Sequence, residues 1–162
     1  MLIRWQMYCQ CAGLPAGRYM TMRAEWNQLL NLSQIYSRGI TGKGIAAAVL
    51  DTGIYQHEDF MFPANRICCF RDFVNGREAP YDDNGHGTHV SGIIASGGFS
   101  PEGRRIGIAP EAQIAALKVL DSKGSGKISA MLHAIDWLLI NYRRYGIRIV
   151  NISVGMPVKN WR

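Results

Sequence analysis

The sequence predicts an α/β domain built on a mainly parallel sheet, and three observations predict it. Three apolar runs, at residues 45–50, 114–120 and 147–154, are nearly continuous, the pattern of strands covered on both faces. Between the last two, Ile128, Met131, Leu132, Ile135, Leu138, Leu139 and Tyr142 recur at intervals of three and four, the period of an amphipathic helix. Strand, helix and strand at this spacing make a crossover unit whose two strands run parallel.

The elements follow in order. Residues 1–20 carry aromatic side chains without a sustained period and are expected to form an N-terminal extension. From Trp26 onward, Leu29, Leu30 and Ser33 keep helical spacing, and Arg38-Gly39 supplies a C-terminal cation and a left-handed stop. Thr41-Gly42-Lys43-Gly44 is a turn into the first strand; it lacks the spacing of a phosphate-binding loop. That strand, Ile45 to Leu50, runs into Asp51-Thr52-Gly53, and Ile67-Cys68-Cys69-Phe70 suits a further strand. His86 opens a segment to Gly97 whose small residues allow a helix to pack closely on its neighbours. The strand from Ile114, the helix from Ile128, a stop at Gly146 and the strand from Ile147 complete the pattern.

Composition narrows the function classes. The chain has 162 residues, 48% of them hydrophobic, enough for one domain with a core of its own. Its net charge of +6 is scattered, Arg104-Arg105 and Arg143-Arg144 being the nearest approach to a cluster, so a nucleic-acid footprint is not expected. No apolar run reaches the roughly 20 residues of a membrane span. The four cysteines, at 9, 11, 68 and 69, lack the spacing of a disulfide framework or a zinc site and read as structural thiols. Arg4, Gln6 and Gln10 interrupt any signal-peptide core, and a cytoplasmic location is expected.

The chemistry-bearing residues lie at the strands' carboxyl ends, where open parallel sheets bind ligands. Asp51 ends a buried strand, and His86 stands at a helix N-terminus, whose dipole favours the neutral imidazole. A carboxylate on one ring nitrogen would leave the other free to act as a base. Two other readings stay open: Asp51-Thr52-Gly53 is also turn chemistry, and His86 with His89 could form a metal pair completed by Asp82, Asp83 or a cysteine.

Four blocks in order resemble those of the subtilisin-like serine proteases (peptidase S8), closest to the intracellular bacterial branch. They are Val49-Leu50-Asp51-Thr52-Gly53-Ile54, His86-Gly87-Thr88-His89-Val90-Ser91-Gly92, Gly107-Ile108-Ala109-Pro110 and Val150-Asn151-Ile152-Ser153-Val154-Gly155. The resemblance implies a three-layer, doubly wound fold, with residues 21–162 as the N-terminal part of a peptidase domain. It implies that Asp51 and His86 are the acid and base of an Asp-His-Ser triad, and that His89 is not the base. It further implies that Gly124, Ser125 and Gly126 form an edge along which an extended polypeptide substrate lies, and that Ser153, Val154 and Gly155 line the opposite side. No cofactor is required for such chemistry. A structural calcium is possible, with Asp59 of His57-Glu58-Asp59-Phe60 as the candidate ligand.

The family's nucleophilic serine and oxyanion asparagine follow the last of these blocks, and none of Ser91, Ser125 and Ser153 has a nucleophile's surroundings. The chain is therefore expected to be a truncated piece, inactive by itself, that associates through the strand edge left exposed. The alternative is a protease-derived module that binds peptides or another chain without chemistry.

Overall fold

The computed structural model describes residues 30–100 and 106–155. The N-terminal extension, Trp26 and Leu29 lie outside the described residues. In chain order the elements are α1 (Leu32–Ser37), β1 (Ala46–Asp51), α2 (Glu58–Met61), β2 (Ile67–Asp72), α3 (His86–Ala95), β3 (Gln113–Lys118), α4 (Ile128–Asn141) and β4 (Ile147–Ile152). The four strands form one sheet in the order β2-β3-β1-β4. All three pairings are parallel, so every strand delivers its carboxyl end to the same edge.

Side chains alternate across a strand, and β1 divides itself between two cores accordingly. Ala46, Ala48 and Leu50 join Ala115, Leu117 and the α4 residues Met131, Ala134 and Leu138 on one face. Ala47 and Val49 join Ile114, Ala116, Phe60 and Ala95 on the other, with Val90 and Ile94 of α3 packed against them. The result is the three-layer, doubly wound α/β arrangement expected.

Three local expectations are corrected. In α1 the inward residue is Leu32, while Leu30 and Ser33 are exposed, and Tyr36 reaches across to donate from Oη to the Gly107 and Ile108 carbonyls (3.0 and 2.9 Å). In α4 the buried stripe is Ala130, Met131, Ala134 and Leu138. Leu132 and Leu139 follow Met131 and Leu138 by one residue, a turn of about 100° about the helix axis, and are exposed. Ala130 and Ala134 lie inside that stripe with Met131 and Leu138, so two of its four buried positions are small residues. β4 was expected to be covered on both faces, yet only Ile147 is buried, because among the described residues β4 is the sheet's last strand.

Candidate active site

The site begins where β1 ends. Asp51 is the last residue of a fully buried strand, and its carbonyl accepts from Val119 N (2.9 Å) and Leu120 N (3.2 Å), which closes the gap beyond β3. Glycines then let two backbones touch. A Cβ at Gly87 would lie inside the van der Waals envelope of the Gly53 carbonyl oxygen, and Gly53 itself turns at φ +120° beneath the Tyr81 carbonyl. Only glycine satisfies both contacts, and together they seat the first turn of α3 on the end of β1.

That seating places His86 Nδ1 2.8 Å from Asp51 Oδ1 and 2.9 Å from Oδ2. A carboxylate only accepts, so Nδ1 carries a proton, and in the neutral ring the lone pair is on Nε2. Thr52 N also donates to Asp51 Oδ1 (2.7 Å), fixing the carboxylate's rotation. The Asp51 side chain is wholly buried and that of His86 is 15% exposed, so the pair is shielded from water while the ring retains access to solvent.

Three neighbours support the pair that the sequence reading did not assign to it. Asp82 Oδ1 accepts from Thr52 Oγ1 (2.8 Å), Asn84 N (3.1 Å) and Gly85 N (2.8 Å), and its Oδ2 accepts from Thr88 N (2.9 Å) and Thr88 Oγ1 (2.6 Å). Burial pushes the Asp82 carboxyl upward, but the hydrogen bonds from Thr88, Gly85 and Thr52 outweigh it and hold the group below its ordinary value. Asp82 thus supplies the N-terminal cap that Gly85, in the left-handed region, lacks the side chain to give. Thr52 Oγ1 in turn accepts from Gly87 N (2.9 Å).

Lys118, paired in register with Asp51, is the third. Its buried Nζ donates to Thr52 O (2.6 Å), Leu120 O (2.8 Å) and Asp83 Oδ1 (2.7 Å), and it lies 5.0 Å from the centroid of the Tyr81 ring. A lone cation inside an apolar run is the signal that could have found it, since such a group is buried only with partners.

The expected substrate-contact residues fall on either side of the pair. Gly124, Ser125 and Gly126 lie in the turn after β3, where Asp121 Oδ1 accepts from Ser125 N (2.9 Å), and Asn84 Nδ2 ties that turn to the His86 loop through Ser122 O (2.9 Å). Ser153, Val154 and Gly155 continue past Ile152, which pairs with Leu50, and so emerge beside the end of β1. Ser153 Oγ donates to Asn151 Oδ1 (2.7 Å), and Ser91 is fully buried within α3. No serine hydroxyl among the described residues is hydrogen-bonded to the His86 ring.

The metal readings fare differently. The Asp82 oxygens accept from five donors and Asp83 Oδ1 accepts from Lys118 Nζ, which leaves these carboxylates ill suited to a cation. Asp59 Oδ1 accepts from Phe99 N (2.6 Å) and Ser100 N (2.8 Å), and Oδ2 accepts from Ser96 Oγ (2.8 Å). Those donors turn hydrogens toward the carboxylate, so Asp59 pins the 96–100 loop. Among the described residues no three His, Cys, Asp or Glu side chains cluster as metal ligands would.

The chain is similar to known proteases in sequence and in fold. The chain is 47% identical over 120 residues to serine protease AprX of Bacillus subtilis (strain 168), covering 72% of this chain and 26% of that protein. It is 42% identical over 133 residues to the minor extracellular protease Epr of the same organism, covering 81% of this chain and 19% of that protein. It therefore spans about a quarter or less of these two relatives. A crystal structure of a cold adapted subtilisin-like serine proteinase superposes with a TM-score of 0.53 at 36% identity, covering 63% of this chain and 34% of that one. Residues 42–161 match the Subtilase family, and the chain belongs to that family.

Proposed function

We propose that this chain carries the acid and base of a serine endopeptidase, with Asp51 orienting His86 and His86 Nε2 taking the proton from a serine hydroxyl. The observation that carries the reading is the buried Asp51–His86 contact at 2.8 Å, with Nε2 left to accept. In the proposed reaction the hydroxyl oxygen bonds to the scissile carbonyl carbon as its proton passes to Nε2. The imidazolium, stabilised by Asp51, then returns that proton to the amine as the C–N bond breaks, and water, deprotonated by the same Nε2, cleaves the acyl ester and restores the hydroxyl. The hydroxyl is assigned to a part of the peptidase domain outside these 162 residues. An extended polypeptide would lie between residues 124–126 and 153–155, held chiefly by its backbone.

The test is peptide hydrolysis by the full-length protein. Asp51→Asn and His86→Ala should each lower kcat by roughly 10⁴-fold or more, and unchanged turnover in either variant would sink the reading. The absence of a serine partner at His86 among the described residues favours a second reading for the 162-residue chain taken alone, as a peptide-binding module without chemistry. A serine-directed fluorophosphonate separates the two, since labelling of this chain requires an activated serine within it.

A further inference from the structure

Five hydrogen bonds converge on Asp82, more than a loop needs to hold its shape. Two of them come from hydroxyls that pass the constraint on. Thr52 Oγ1 donates to Asp82 and so has lone pairs with which to accept from Gly87 N (2.9 Å). Thr88 Oγ1 does the same on the other side, donating to Asp82 and accepting from Tyr55 N (2.9 Å). The two relays clasp the residues that follow His86 to the residues that follow Asp51. Thr52 completes the arrangement because its own N–H donates to the Asp51 carboxylate (2.7 Å). One carboxylate therefore sets both members of the pair, through atoms that touch neither ring nor substrate.

We propose that Asp82 is a positioning residue for the Asp51–His86 pair, acting through the hydroxyls of Thr52 and Thr88 to hold the imidazole with Nδ1 toward Asp51. Its significance for catalysis rests on the proton-transfer role proposed above; the arrangement itself is testable without activity. The chemistry requires a carboxylate. All five partners are donors, so an amide at this position would turn an NH2 against at least one N–H or O–H and leave it unpaired. Other ionisable groups around the pair include Asp83, Lys118 and Tyr81 at the adjoining corner, His89 one turn along α3 and Asp121 in the turn that Asn84 ties to the His86 loop. All of them are left unaltered in the test.

The experiment is NMR of the imidazole of His86 in this chain. In the parent, a hydrogen-bonded Nδ1–H resonance should appear far downfield, and the imidazole nitrogen shifts should report one tautomer. Asp82→Asn should lose that resonance and mix the tautomers while amide protection in β1 and β3 persists. Thr52→Val, which keeps the charge of Asp82 but removes one relay, should do the same, and Thr52→Ser should restore the parent spectrum. If Asp82→Asn does not fold, the Thr52 pair decides the matter. A resonance and tautomer unchanged in Thr52→Val or in folded Asp82→Asn would overturn the proposal, as would one that survives in the Asp51→Asn control. In the full-length enzyme the same substitutions should lower kcat with little change in KM. If turnover survives while the resonance is lost, the positioning stands and the catalytic assignment of the pair fails.

Discussion

Lys118 Nζ spends its three protons on two carbonyls and the Asp83 carboxylate, so its buried charge has no unmet donor. Removing it would orphan the Thr52 and Leu120 carbonyls at the end of the strand that carries Asp51. Lys118→Ala should therefore cost about 2–4 kcal/mol, from the two orphaned carbonyls and the vacated volume, since Asp83 is exposed and returns to water. Lys118→Met, which keeps the volume, should cost less; denaturant midpoints would measure the difference. At this scale the sequence was legible where a residue's neighbours in the chain define its chemistry. Asp51 ends an apolar run and His86 stands between glycines, which marked both as candidates, and the family resemblance supplied their roles. The support that Asp82 and Lys118 give the pair escaped because it runs through Thr52, 30 and 66 residues away along the chain, even though their other partners include near neighbours.

Between β2 and α3 the chain has little regular structure, and carboxylates organise it instead. Asp72 accepts from Val74 N, Asn75 N, Arg77 N and Tyr81 Oη, and Asp82 takes over where that loop reaches the site. Burial pushes the Asp72 carboxyl up, but these hydrogen bonds outweigh it, so both Asp72 and Asp82 are held below their ordinary value of 3.8. A carboxyl depressed in the folded state contributes stability that is fully present above its unfolded value and is lost as pH falls through the folded one. The 72–88 segment should therefore hold above about pH 4 and loosen below it. Amide exchange followed from pH 6 to pH 3 would check this, with protection lost first at Val74, Asn75, Gly85 and Thr88. Elements were legible by period but not by face. The spacing in α4 located the helix, yet two of the four residues in its covered stripe are alanines, and small residues weigh little in a hydrophobic pattern.

The molecule as a whole ends, at one side of its sheet, in a strand with nothing beyond it among the described residues. Ile149, Val150 and Ile152 of β4 are 58, 48 and 46% exposed, and an unpaired strand edge of this kind templates association. The 162-residue chain should lose monomer as its concentration rises in light scattering. Ile149→Lys, which sets a charge on that strand, should recover monomer; equal association in both proteins would count against the edge. The sheet order was not readable from the sequence, because β1 is the first strand and yet lies between β3 and β4. That position has a consequence for how the site fails. β1 gives alternate side chains to both helical layers and ends in the carboxylate that holds His86, so neither layer can melt while the other stays intact. Unfolding is thus cooperative across the sheet, and the Asp51 half of the pair persists or vanishes with the whole domain, whereas the His86 half rides on the 72–88 segment and can loosen before it.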